Sequence, residues 1–170
     1  MVAALSLKID VRGDNWRTKW DAIQRRFSEL TQPRNETMGK ESLTNAQNDF
    51  HDYFVSSSHL RDALIKEKPG HLHGMLDEDA GKAVRDQIKA SPPLSLLADI
   101  CNVIKHVELD KPPWTGHVPK ISAVIGIAQK DGSWLPSLTI EHAGQQKDGI
   151  SVAEAALSGW KGVLTKWGLI

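Results

Sequence analysis

Between Leu5 and Val11 apolar and polar residues alternate, with Leu5, Leu7, Ile9 and Val11 on one face and Ser6, Lys8 and Asp10 on the other. That period of two predicts a strand with one buried side, closed by Gly13. Asp14 or Asn15 can then cap a helix in which Trp16, Trp20, Ile23, Phe27 and Leu30 step by three and four. Thr31 to Lys40 is polar, holds Pro33, Asn35 and Gly39, and reads as a loop free to move. Ser42 with Asn45 opens a long second helix whose stripe of Leu43, Ala46, Phe50, Phe54, Ser57, Leu60 and Leu64 lasts until Pro69-Gly70. After a loop at His71 to Gly74, Asp77 to Ala90 has acidic residues at its start and Lys89 near its end, as the helix dipole favours. Ser91-Pro92-Pro93 supplies an N-cap and first turn for a fourth helix running to about Leu109, before Pro112-Pro113.

The texture then changes. Ile121 to Ala128 is rich in β-formers, Asp131-Gly132 is a turn signal and Trp134 to Ile140 reads as a second strand, together a hairpin. Pro136 places that second strand at an edge, since it has no N–H to give. Asp148-Gly149-Ile150-Ser151 leads into a last helix with Val152, Ala155, Ala156, Gly159, Trp160, Val163 and Trp167 on one face. The expected object is mainly α (α+β): a bundle of four to five helices with a small antiparallel hairpin or sheet before the C-terminal helix. It reads as a single domain over residues 1–170, with the bundle at about 14–110, the hairpin at 120–141 and the last helix at 150–168.

Composition narrows the class without naming a partner. The chain has 170 residues, 40% of them hydrophobic and 25% charged, which fits a globular protein rather than a disordered one. Lys and Arg number 21 against 21 Asp and Glu, so there is no global field to attract nucleic acid or anionic lipid. The lone Cys101 excludes an internal disulfide and a cysteine zinc site, and makes a reducing cytoplasm the expected compartment. No apolar stretch near the start is long enough to span a membrane.

Chemistry concentrates on the fourth helix. At about 100° per residue, Leu96, Leu97, Ile100, Val103, Ile104 and Val107 fill one arc, and Ser95, Asp99, Asn102 and His106 fall within about 60° of one another on a different one. Asp99 and Asn102 are three apart and Asn102 and His106 four apart, spacings at which neighbours can orient an imidazole and fix its tautomer, as a general acid or base needs. The competing reading is the solvated side of an amphipathic helix. Cys101 and His106 lie about 140° apart on the helix and cannot meet within it, so Cys101 reads as a small buried hydrophobe. Arg61 lies close to the buried arc of the second helix, where a guanidinium seeks a carboxylate. Asp99 is the candidate partner, and an Arg that holds an anion beside the polar column is the alternative.

Other signals are weaker. His71 and His73 could chelate a metal, but no carboxylate spacing completes the site, and no metal is expected. Ser56, Ser57, Ser58 and His59 lack the strained strand-to-helix elbow of a nucleophile. Neither a phosphate-cradling glycine loop nor a dinucleotide fingerprint occurs, and no cofactor is expected. The six Trp read as core packing.

The run from Leu97 to Leu109, with Asp99, Asn102 and the Lys105-His106 pair, resembles a stretch recurring in small uncharacterised bacterial proteins that also carry a long preceding helix like Phe50 to Leu64 and a closing helix with Trp near its end. Those proteins resemble divergent HEPN (higher eukaryotes and prokaryotes nucleotide-binding) helical domains. The resemblance covers roughly residues 15–110 and implies a metal-independent ribonuclease site at a homodimer interface, built from an Arg, a polar residue and a His four to six positions beyond the Arg. By that analogy His106 is the acid or base and Asn102 its polar partner, with Asp99 beside them. No Arg in this chain stands four to six positions before a His, so Arg61 or Lys105 is the candidate to supply the charge. Two functions follow as expectations: an endoribonuclease in stress response or phage defence, and a non-catalytic helical module that binds RNA or a protein partner.

Overall fold

The structure, a computed structural model, describes residues 15–105 and 112–170. Helices α1 (Asn15–Thr31), α2 (Lys40–Glu67), α3 (Asp77–Ala90), α4 (Pro92–Lys105) and α5 (Gly149–Lys166) carry most of the chain. Between α4 and α5 lie five short strands, β1 (Lys120–Ile121), β2 (Ile125–Ala128), β3 (Trp134–Ser137), β4 (Thr139–His142) and β5 (Gln145–Asp148). The mainly α, α+β architecture is thus the one the periodicity predicts. The N-terminal strand expected at Leu5 to Val11 and the last turn expected for the fourth helix lie outside the described residues.

Helix α2 is the axis of the bundle and contacts each of the other four helices. It begins after Gly39, whose N–H donates to Ser42 Oγ at 2.8 Å, and it ends at Lys68, which adopts a left-handed conformation and donates its N–H to the Leu64 carbonyl. The apolar stripe is fully buried at Phe50, Phe54, Leu60 and Leu64. Tyr53 lies inside as well, with its hydroxyl donating to the Ala153 carbonyl on α5 at 2.6 Å, and burial drives its phenol well above its usual range. Trp16, Trp20, Ile23 and Leu30 of α1, Val84 and Ile88 of α3, Leu97 and Ile100 of α4, and Trp160 and Val163 of α5 complete one core. Ala155 is exposed rather than part of the α5 core face.

The strand region departs from a single hairpin. β2 and β3 pair antiparallel, with Pro136 opposite Gly126, but the run from Trp134 to Ile140 breaks at Leu138. Its second half, β4, pairs instead with β1 on one side and β5 on the other. Leu138 is buried and its carbonyl accepts the Gly149 N–H at 2.7 Å, a knot that ties the strands to the first residue of α5. The segment from Thr31 to Lys40 is fastened rather than free: Arg34 and Trp134 exchange backbone hydrogen bonds, and Trp134 Nε1 donates to the Glu36 carbonyl at 3.0 Å.

Candidate functional site

Helix α4 separates two sites. Its side toward α2 carries Asn102 and Lys105, which meet Ser57, Ser58 and Arg61 around a cleft of about 130 Å³. Lys105 Nζ donates to Ser58 Oγ at 2.5 Å, so the two helices are bridged at the cleft wall. Three of the residues singled out from the sequence, Arg61, Asn102 and Lys105, are therefore brought together. His106 lies outside the described residues.

The expected pairing of Arg61 with Asp99 does not occur. Arg61 turns its Nε and Nη2 edge to the exposed Asp62, next to it in the chain, at 2.8 and 2.7 Å. Asp99 is also not part of a solvated column; it is 1% exposed. Its Oδ1 accepts the Trp114 N–H at 2.7 Å, and its Oδ2 accepts the Thr115 N–H at 2.9 Å and the Thr115 hydroxyl at 2.7 Å. A buried carboxylate needs such donors, and backbone amides supply them without a counter-charge.

Two polar groups on residues that line the cleft are the feature that sequence reasoning missed. Ser57 Oγ and Trp160 Nε1 are buried and have no hydrogen-bonding partner among the described residues. Leaving such groups dry costs about 1–3 kcal/mol each, so buried donors are ordinarily satisfied. The indole can only donate, and the hydroxyl can donate as well. Lys105, hydrogen-bonded to Ser58, brings a positive charge to the cleft wall, and Arg61 brings a guanidinium whose one edge is already taken by Asp62. Outside the cleft lining, burial and then Lys105 and Lys19 push the His59 imidazole below its ordinary range, Asp62 opposes them, and Arg26 adds a smaller lowering. Cys101 borders the cleft as an inert thiol, its Sγ donating to the Phe54 carbonyl at 2.8 Å and its pKa pushed up to about 12 by burial.

The other side of α4 faces a wider groove of about 700 Å³, bounded by the first turns of α4 and α5 and by the β4–β5 hairpin. Here Thr115 links Asp99 to His142, whose Nε2 lies 2.8 Å from Thr115 Oγ1. Burial, then His117 and Lys147, lower the His142 pKa, and Asp99 opposes them. Neither Thr115 nor His142 carries a sequence signal, because they reach Asp99 only through the fold. His71 and His73 do not meet a third ligand: His71 stacks on Trp167, and among the described residues no group of three His, Cys, Asp or Glu side chains could hold a metal. No described helix is long and apolar enough to cross a membrane.

Compared with models of protein families, with curated proteins and with solved structures, the chain matches none. Its function is read from these two sites.

Proposed function

We propose that this chain is an HEPN-like helical protein that holds an RNA phosphate in the α2–α4 cleft and acts as a metal-independent endoribonuclease. The observation that carries the reading is the gathering of Arg61, Asn102 and Lys105 around the α2–α4 cleft, beside two lining side chains whose buried polar atoms, Ser57 Oγ and Trp160 Nε1, have no hydrogen-bonding partner among the described residues. A cleft of about 130 Å³ suits a single phosphate group, and its donors suit a phosphate's oxygens. In this reading His106, next to Lys105 in the chain, takes the proton of a ribose 2′-hydroxyl. The oxygen attacks the adjacent phosphorus in line, the bond to the 5′-oxygen breaks, and that oxygen leaves with a proton. The products are a 2′,3′-cyclic phosphate and a 5′-hydroxyl. Arg61, Lys105 and Asn102 hold the phosphate while charge develops on it.

The test is incubation of wild type, Arg61→Gln with Lys105→Gln, and His106→Ala with mixed RNA in EDTA, each first shown to be folded by circular dichroism. Cyclic phosphate ends from the wild type, lost in His106→Ala and reduced in the double variant, are expected. A requirement for a divalent cation, or cleavage that survives His106→Ala, overturns the ribonuclease.

A second reading, a module that binds RNA without cutting it, is favoured by the fate of Asp99, whose carboxylate is taken up by Trp114 and Thr115 and so is withdrawn from catalysis. Under it the wild type binds labelled RNA without turnover. Loss of the two cations then flattens the salt dependence by about one phosphate contact each.

A further inference from the structure

The groove on the other flank of α4 stands apart from the cleft and has a different chemistry. At about 700 Å³ it falls in the size range of small-molecule sites. Its walls are apolar where Leu96, Trp114, Val152 and Ala155 line it, and two cations, Lys89 and Lys147, stand along it. The one carboxylate there, Asp148, is committed to capping α5, with Oδ2 accepting the Ser151 N–H at 2.8 Å and the Ser151 hydroxyl at 2.9 Å. Among the lining residues the two ammonium groups outnumber the Asp148 carboxylate, which keeps its charge while it caps α5, and the body of the groove is apolar.

His142 gives the groove a directed polar group. The single hydroxyl proton of Thr115 goes to Asp99 Oδ2 at 2.7 Å, shorter than the alternative contact to the His117 carbonyl at 3.1 Å. The carboxylate at that distance holds the proton rather than the His142 nitrogen, which leaves Thr115 Oγ1 an acceptor toward His142 and puts the imidazole proton on Nε2. Nδ1 is then the nitrogen with a free lone pair. Asp99, buried and anchored, fixes the tautomer through Thr115, as a carboxylate behind a hydroxyl can.

We propose that this groove binds a small organic acid with an aromatic or aliphatic body, its acid group at Lys147 and Lys89, its body on Leu96 and Val152, and a hydroxyl or N–H of the ligand donating to His142 Nδ1. The site is independent of the cleft, since its residues come from the opposite flank of α4, from the 114–115 segment, from β4–β5 and from the first turns of α5.

The probe is 6-hydroxy-2-naphthoate, compared with its neutral analogue 6-(hydroxymethyl)-2-naphthol, so that both carry a hydroxyl for His142 and only the first carries the acid group, titrated into the full chain by calorimetry and by amide NMR. The acid is expected to shift the amides of Thr115, His142 and Ala155 saturably and to bind about tenfold more tightly than the alcohol, the advantage of a charge-assisted contact. Lys147→Gln narrows that preference, Lys147→Gln with Lys89→Gln removes it, and Ala155→Trp, which fills the groove from an exposed position, abolishes binding of both. Lys147→Gln changes only a partly exposed side chain and serves where the bulkier variant disturbs the fold. Equal affinity for acid and alcohol, shifts elsewhere than the groove, or no saturable binding overturns the proposal.

Discussion

The carboxylate of Asp99 and the hydroxyl of Thr115 meet at 2.7 Å, and the Thr115 amide donates to the same oxygen at 2.9 Å. One acidic side chain of α4 thus holds down the segment that precedes the strands. Asp99→Asn keeps the shape but loses charge and acceptor capacity, and is expected to cost about 1–3 kcal/mol in urea unfolding. Asp99→Ala, which strands the Trp114 and Thr115 amides, is expected to cost at least as much. Wild-type stability in either variant would show that the segment is not anchored through this carboxylate.

Ser57 offers the opposite sign. Its hydroxyl is buried without a partner among the described residues, so Ser57→Ala removes a desolvated polar group at little cost in packing. The variant is expected to match or exceed wild-type stability, by up to about 1 kcal/mol, and to bind RNA more weakly. A clear loss of stability in thermal unfolding would mean that the hydroxyl serves the fold and not a ligand.

Tyr53→Phe deletes only the hydroxyl that donates to Ala153 across the core. About 1 kcal/mol of stability should go, with RNA binding unchanged. Chemical denaturation and an RNA titration on the same preparation check both halves.

The histidine of the groove sets a pH dependence. Because the folded-state pKa of His142 is lowered, the unfolded chain takes up the proton first as pH falls through the ordinary histidine value of 6.5. Its contribution to stability is therefore present above that value and declines as pH drops, until the folded pKa is passed. Histidine NMR should place the His142 midpoint below that of an exposed imidazole. His117→Gln, which removes a neighbour that lowers it, should move the midpoint up. A midpoint at or above 6.5 in the wild type would contradict the burial and charge around this ring.

Much of the helical frame was written in the three-and-four stepping of Trp16 to Leu30, Phe50 to Leu64 and Leu96 to Val103, because burial on one helix face imposes that period. β5 was not legible: Gln145-Gln146-Lys147-Asp148 has no apolar residue to alternate, since the strand is held by backbone pairing with β4. Nor did the run through Leu138 announce a break, because an inward leucine looks the same in one strand or between two. The cleft was half visible. Spacing put Asn102 in the polar column of α4, the family resemblance brought in Lys105, and the buried arc of α2 flagged Arg61. Asp99 was misassigned because the adjacent Asp62 satisfies Arg61 locally, while the donors for Asp99 lie 15 and 16 residues further on, where helix periodicity says nothing. Trp160 and Ser57 were read as core residues, and only the packing reveals that their polar atoms have no partner among the described residues.

The contact between Tyr53 and Ala153 spans 100 residues of sequence. During synthesis on the ribosome α2 emerges long before α5, so the Tyr53 hydroxyl is without its native acceptor until the last helix arrives, while α1 and α4 can already pack on the aromatic rings of α2. A nascent chain that stops before Ala153 therefore lacks the acceptor for this buried phenol, and the last helix completes the hydrogen bonding of the core as well as its packing.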